Sequence, residues 1–386
     1  MPSSVFNGSD RRLRLVQVLA GDGRGGADRV ALALGRAMSE AGHRVDYVVK
    51  PAFLRYHDLA ALGHVTLDYP RGLRGLRAFN RAVRDADGVL THDSGSRHLG
   101  LRAKLLGMRS PLWFMRHCIS GTSRLGGVQL HRWLVAHQIA ISEAVAQSLI
   151  ASSYPAARVH LIHAGVDLSP FAHPDPQVVA RLRAQWLPDR RPGERVLGMV
   201  ARFGVYPGWS PDKMDLKGYD VLFAALSKVS FPYRVLILGP RDAPDHAALR
   251  QMAAYHGADP GRLVFVGFVH DVAPYYALMD INVLPSRGEG LGLSAIEGMA
   301  AGVATVVSAS GGLGEVVRTH QTGLSFPEGD AQALAACLER LATDAEFRRS
   351  LGQSGQADVL ARFGVERMAR AVDDLMHTYL HKGNAE

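Results

Sequence analysis

The run Pro285-Ser286-Arg287-Gly288-Glu289-Gly290-Leu291-Gly292-Leu293-Ser294-Ala295-Ile296-Glu297-Gly298-Met299-Ala300-Ala301-Gly302 places two carboxylates eight residues apart across a glycine-rich turn that opens a helix. Glycines 288, 290 and 292 let the backbone approach a ligand closely and leave its N–H groups unencumbered. Those amides fall where the next helix begins, which favours a diphosphate. A carboxylate beside an anion is unfavourable unless its task is to accept hydrogen bonds from hydroxyls. Glu289 is therefore assigned the sugar hydroxyls next to the phosphates, and Glu297, about two turns along the helix, a ribose diol. With Gly290, Leu291 and Gly292 they describe a nucleoside-diphosphate sugar as ligand. A solvated acidic turn is the alternative, and the apolar neighbours Leu293, Ala295, Ile296 and Met299 speak against it.

The chain around this run has 386 residues, beyond the size at which single cores usually stop growing, so two domains are expected. A hydrophobic content of 47% with 21% charged residues fits a soluble globular class. No apolar run approaches the roughly 18 residues of a spanning helix, and no basic-then-apolar leader opens the chain. A cytoplasmic location is expected. Cys118 and Cys337 are the only cysteines, which indicates neither a disulfide scaffold nor a thiolate metal site. The net charge of +8 is uneven, with +12 over residues 1–193 and −4 over the remainder. Such a basic half steers acidic acceptors or rests on an anionic membrane surface. Its arginines come without interleaved aromatics, so nucleic acid is not an expected partner.

Residues 1–10 read as a floppy polar lead. Leu13–Ala20 is a strand-like run, followed by the turn Gly21–Gly26, a helix over Ala27–Ala41 with Val30, Leu34 and Met38 on one stripe, and a strand at Val45–Val49. Strand, tight turn, helix and strand begin a parallel α/β sheet. Further strands are expected at Gly88–Thr91, Leu112–Met115, Ile139–Ile141 and Val159–Ile162. Five prolines between Ser169 and Glu194 mark a boundary, after which Val196–Val200, Tyr233–Leu238, Leu263–Val266, Ile281–Leu284 and Thr305–Val307 repeat the alternation. The expected domains are 11–185 and 194–362, with a last helix over 363–382.

Gly21-Asp22-Gly23-Arg24-Gly25-Gly26 satisfies G-x-G-x-x-G after a strand and before a helix. A dinucleotide site also wants an acid at the end of the second strand, where this chain has Val49-Lys50. A phosphate- or sugar-facing loop and a merely tight turn are the other readings. Arg202 closes the strand Val196–Val200 and Lys217-Gly218 precedes a helix, both at sheet edges where α/β folds bind ligands. The loop between them, 203–216, is a lid or an acceptor wall. Contacts to the base fall to the backbone around Gly239 and Phe268-Val269-His270. His117, at the end of an apolar strand after Arg116, is a candidate to touch the transferred group, and His92 ends another strand. Each is equally a neutral core histidine. Asp85-Ala86-Asp87 is a literal D-x-D with no second carboxylate cluster to support a metal. G-x-S-x-G, H-E-x-x-H and P-loop sequences are absent. Arginines 74, 77, 81 and 84 share one broad face of a helix whose other face carries Leu73, Leu76 and Val83, which suits anionic headgroups or plain packing on a sheet.

These residues resemble glycosyltransferase family 4, retaining enzymes of the GT-B fold, over nearly the whole chain. Glu289–Gly302 is similar to the family's E-G-x-G-x-x-x-x-E-A-M-A-x-G signature, Gly25-Gly26-Ala27-Asp28 to G-G-A-E, and His163-Ala164-Gly165-Val166-Asp167 with Phe171 to N-G-V-D…F. Val200-Ala201-Arg202-Phe203 with Lys217-Gly218 resembles G-R-L…K-G, and Gly311–Glu315 resembles G-G-x-x-E. The departures are Gly298 for alanine, giving room near the ribose, Asp28 for glutamate, Ala201 for glycine, and Ala304 for proline. The resemblance implies two Rossmann-like α/β domains facing across a deep cleft, with the C-terminal helix returning to the first. It implies that Arg202 and Lys217 hold the donor diphosphate, Glu289 the donor sugar, Glu297 the ribose, and His117 the sugar from the opposite domain. Gly25 and Gly26 would border the diphosphate, with Asp28, His92 and Arg116 on the acceptor side. No cofactor or metal is implied. The expected activity is transfer from a nucleoside-diphosphate sugar to a cell-envelope glycan, a glycolipid or a small natural product. A GT-B sugar-nucleotide epimerase and an NAD(P)-dependent oxidoreductase are the competing enzyme classes.

Overall fold

The computed structural model describes residues 11–60, 64–119, 127–205 and 207–383; the polar lead at 1–10 and Tyr206 of the 203–216 loop lie outside them. Two compact units form, one of residues 1–167 with 363–386 and the other of 168–362.

Among the described residues, the first unit carries a seven-stranded parallel sheet: β1 (Arg14–Leu19), β2 (Arg44–Val49), β3 (Val65–Asp68), β4 (Gly88–Thr91), β5 (Leu112–Arg116), β6 (His137–Ala140) and β7 (Val159–Leu161). Its order is β3-β2-β1-β4-β5-β6-β7, so the direction of winding reverses between β1 and β4. Residues 15–19 of β1 are all buried because a parallel sheet is covered on both faces. The buried Gln17 donates through Nε2 to the Ala31 carbonyl at 2.9 Å, which fixes the helix Gly26–Glu40 on the sheet. Gly35 is needed there, since a Cβ would meet the Tyr47 hydroxyl.

The second unit repeats the plan with six parallel strands: β8 (Arg195–Val200), β9 (Tyr233–Leu238), β10 (Leu263–Gly267), β11 (Ile281–Leu284), β12 (Ala304–Ser308) and β13 (Leu324–Phe326). Its order is β10-β9-β8-β11-β12-β13, with the reversal between β8 and β11. Two Rossmann-like units in one chain are the GT-B plan.

The chain returns to the first unit at Phe363. The Val166 amide donates to the Phe363 carbonyl at 3.4 Å, and Gly165 N lies 3.2 Å from Met368 Sδ. A Cβ on Gly165 would come within 3.0 Å of the Gly364 carbonyl, so the close approach requires glycine. The helix Val365–Gly383 then packs on Gly26–Glu40, and its Asp373 lies 3.3 Å from His43 and 3.2 Å from His377. The return expected from the family resemblance is therefore present.

The units part at 167/168, ahead of the expected boundary. The helices Ser169–Ala172 and Pro176–Trp186 pack on Ala273–Tyr276, with the Phe171 ring 5.7 Å from that of Tyr276, and Arg190 pairs with Asp280 at 2.5 Å. Proline content made this segment look like a linker, but buried Phe171 and Leu187 anchor it to the second unit.

Candidate functional site

In the second unit the ends of β8 and β11 flank the point where winding reverses, the position at which open α/β sheets take ligands. Arg202 follows β8. Its side chain is exposed and has no hydrogen-bond or ion-pair partner among the described residues. The loop after β11 is pressed against the Lys217-Gly218 turn. Gly218 holds φ +78°, and a Cβ there would come closer than 3.0 Å to the Pro285 carbonyl oxygen. Arg287 clamps the two segments. Its amide donates to the Leu216 carbonyl at 2.8 Å, and its guanidinium grips both Asp220 oxygens at 2.8 Å and the Asp215 carbonyl at 2.6 Å. The Asp215 carboxyl, pushed up by burial, accepts from the amides of Lys217 and Tyr219.

The outcome of this clamp is that Lys217 Nζ lies 2.7 Å from Glu289 Oε2, the side chains being 35% and 19% exposed. A partly exposed pair of this kind is worth about 0–1 kcal/mol, so phosphate oxygens and sugar hydroxyls can displace it cheaply. The glycine turn is pinned by Gly288 N to Ser310 Oγ at 2.7 Å and Gly312 N to the Glu289 carbonyl at 2.9 Å. Gly290 and Leu291 are buried, and Gly292 caps the helix Leu293–Ala300 at φ +92°. Glu297 is 1% exposed and accepts from the Tyr276 hydroxyl at 3.0 Å. The solvated-turn reading does not hold for it. Half-buried Phe268 and Val269 follow β10, where Gly239 N donates to the Gly267 carbonyl at 2.8 Å.

Gly298 does not open room for a ribose on its Cβ side. The space beside it is taken by Asn282, whose amide a Gly298 Cβ would approach within 3.0 Å, and Asn282 Nδ2 donates to the Ser294 carbonyl at 3.0 Å. Gly298→Ala is expected to destabilise the protein by about 1–3 kcal/mol through overpacking. In an Asn282→Ala background the same change should cost less than about 0.5 kcal/mol, as read by urea unfolding of the four proteins.

In the first unit the reversal lies between β1 and β4. The Ala20 amide donates to Asp93 at 2.8 Å, and Asp93 also caps the helix Ser94–Leu105 through Ser96 N at 2.9 Å. In the glycine loop Gly23 takes φ +85°, and His57 Nε2 lies 2.6 Å from its carbonyl. Asp28 is buried, and its carboxylate accepts from Gly25 N at 2.9 Å, which commits it to the start of the helix beginning at Gly26. Burial raises its carboxyl above the usual range. His92 Nδ1 and His117 Nε2 are 3.2 Å apart. Burial takes His92 down to about 3, and burial followed by His92 takes His117 well down, so both rings are neutral. Arg116 is buried, with Nε donating to the Cys118 carbonyl at 3.1 Å.

The second acid of the D-x-D is otherwise employed. Asp87 accepts from Arg11 at 2.6 Å and from Arg14 N at 2.8 Å. Among the described residues no group of three or more His, Cys, Asp or Glu side chains is placed to hold a metal ion. Lys50 sits 5.4 Å over the Tyr69 ring, where a dinucleotide site would need an acid. The arginine-bearing helix, Gly72–Ala82, buries Leu76 and Phe79 in the first unit's core and leaves its arginines exposed. Sequence reading missed Asp215, Asp220, Tyr276 and Asn282, and assigned Arg287 no role. The one available signal was the acid two residues before Lys217.

Two family descriptions match the chain: Glycosyltransferase Family 4 over residues 24–170 and Glycosyl transferases group 1 over 205–344. The 2-deoxystreptamine N-acetyl-D-glucosaminyltransferase of Streptomyces fradiae is 31% identical over 54% of this chain and 47% of its own length. The lipopolysaccharide core biosynthesis mannosyltransferase LpcC of Rhizobium leguminosarum bv. viciae is 26% identical over 64% and 67%. The alignments thus span about half to two thirds of these curated relatives. Among solved structures, Anabaena HepE in complex with UDP and glucose superposes with a TM-score of 0.80 at 18% identity, over 95% of this chain and 100% of that one. A glycosyltransferase from Rickettsia africae gives 0.82 at 16%, over 96% and 99%.

Proposed function

We propose that this GT-B chain, a relative of the family 4 and group 1 glycosyltransferases, moves a glycosyl group from a nucleoside-diphosphate sugar to an acceptor hydroxyl with retention of anomeric configuration. The observation that carries the reading is the Lys217–Glu289 contact at the end of β11. It joins a cation for phosphate to a carboxylate for sugar hydroxyls, in the unit where Arg202 follows β8.

Glycosyl transfer builds positive charge at the anomeric carbon and negative charge on the departing phosphate. Arg202, Lys217 and the amides about Gly290 are assigned to that phosphate. Glu289 takes the sugar hydroxyls, Glu297 the ribose, and the Phe268-Val269 backbone the base. His117 is assigned to the transferred sugar, the Gly25-Gly26 turn to the border between diphosphate and acceptor, and His92 and Arg116 to the acceptor side. Attack from the leaving-group face, with a phosphate oxygen taking the acceptor proton, needs no protein nucleophile and no metal.

A cell-envelope glycan or glycolipid is the proposed acceptor, supported by the lipopolysaccharide-core relative. The 2-deoxystreptamine enzyme supports a small-molecule acceptor as the second reading. A cytoplasmic location with peripheral contact to an anionic membrane belongs to the same proposal. It is supported by the exposed arginines of Gly72–Ala82 and by Leu73, which is 62% exposed. No helix among the described residues is long and apolar enough to cross a membrane.

Uridine, guanosine and adenosine diphosphates are to be screened by thermal unfolding. One of them, at about 100 times its Kd, should stabilise the chain by ~2.7 kcal/mol, and Lys217→Ala should reduce that effect. Stabilisation by NAD(P) alone would sink the reading in favour of an oxidoreductase. Donor conversion that is complete without any acceptor would favour an epimerase.

A further inference from the structure

Arg97 and Arg116 bring two positive charges to one aromatic ring in the first unit. Their guanidinium carbons lie 5.6 and 5.8 Å from the Phe114 centroid, at the end of β5. Arg116 is held by its Nε bond to the Cys118 carbonyl. Arg97 stands in the first turn of the helix Ser94–Leu105, the positive end of the helix dipole, so it is set against its own helix. Its Nε is buried and has no hydrogen-bond partner among the described residues. Burying such a donor without an acceptor is expensive, and more so for a charged group.

Among the described residues no carboxylate stands with the groups that act on Arg97. After burial, the groups acting on Arg97 are Arg116, of the same sign, then Tyr154 and Cys118, both ordinarily uncharged at neutral pH. Asp93, the acid that caps this helix, is engaged by the amides of Ala20 and Ser96. His131 lies 2.5 Å from the Tyr154 hydroxyl. Burial, then Arg97, His98 and Arg116, holds its imidazole down to about 4.

We propose that Arg97 and Arg116 form a receptor for an anionic group, a phosphate or a carboxylate, carried by the acceptor. The inference rests on the transferase reading above, in which the first unit takes the acceptor. Arginine's planar fork grips two oxygens of either anion at once, and a grip on two oxygens fixes direction as well as position. Anchoring the acceptor by its charge would leave a defined hydroxyl, and not the anionic oxygen, to attack.

The test titrates the full chain carrying Arg202→Ala and Lys217→Ala, so that the second unit's cations do not respond. Thermal unfolding is followed in inorganic phosphate and separately in malonate, at constant ionic strength. Saturable stabilisation by either anion is expected; phosphate alone assigns a phosphorylated acceptor and malonate alone a carboxylated one. Arg97→Gln should weaken the apparent affinity about 10- to 100-fold, and Arg97→Lys should recover part of it. No saturable response to either anion, or an unchanged response in Arg97→Gln, overturns the proposal. Nucleoside-diphosphate stabilisation of Arg97→Gln with the second unit intact shows that this variant folds. Loss of that stabilisation in the parent chain would count against the donor reading alone, and the anion titration would still decide this one.

Discussion

Arg202→Ala is expected to lower turnover about 10²–10³-fold at saturating donor, the usual loss on deleting one preorganised stabiliser of developing charge. The resting structure makes this a clean substitution. Arg202 leaves the end of β8 exposed and without a hydrogen-bond or ion-pair partner among the described residues, so its removal orphans no buried group. Stability should change by no more than about 0.5 kcal/mol, as for an ordinary surface site. Lys217→Ala is less diagnostic, because it also strips Glu289 of its 2.7 Å partner. Arg202→Lys should recover only part of the rate, since an ammonium offers a point charge where the guanidinium offers two parallel donors. The measurement is kcat for transfer beside the melting temperature of each variant. Kinetics within twofold of the parent would remove Arg202 from the mechanism.

That such a residue was legible without a structure follows from where it sits. Interior strands of parallel sheets are buried on both faces and write themselves as continuous apolar runs. β4, β9 and β11 were accordingly placed to the residue, and a charge directly after such a run, like Arg202 after β8, is a sheet-end charge. β3 and β13 were missed for the complementary reason. Both lie at sheet edges and run only four and three residues, and three of the four β3 residues are exposed, so neither leaves an apolar run to read.

Contacts within the site were less legible than its members. Lys217 and Glu289 are 72 residues apart and Asp220 and Arg287 are 67 apart, and nothing in local periodicity relates them. The pairing of His92 with His117 was closer to hand. β4 and β5 are neighbours in the sheet, and each histidine directly follows its strand. Gly298 shows the opposite failure: the missing methyl was read as room for a ligand, whereas a side chain 16 residues earlier occupies it.

Gly218→Ala should have the largest effect on the donor site short of removing a charged group, and by a different route from Arg202→Ala. At φ +78° an alanine bears about 1–2 kcal/mol of left-handed strain. Its Cβ would also enter the 3.0 Å limit around the Pro285 carbonyl oxygen, a backbone atom that cannot swing aside. The Arg287 amide bond to Leu216 and the guanidinium grip on Asp220 resist the shift that would relieve the clash. Overpacking adds about 1–3 kcal/mol, for a total destabilisation of about 2–5 kcal/mol. What relaxation does occur must part the Lys217 turn from the Glu289 loop, so donor KM should rise together with a fall in kcat. Gly208→Ala is the control. It has nearly the same dihedral, φ +76°, but nothing nearer its Cβ than Lys213 Nζ at 3.8 Å, so it should cost only the strain and leave donor affinity alone. Equal losses at the two positions would show that backbone conformation, and not the contact with Pro285, is what glycine supplies at 218, and the account of how Lys217 is brought to Glu289 would fail with it.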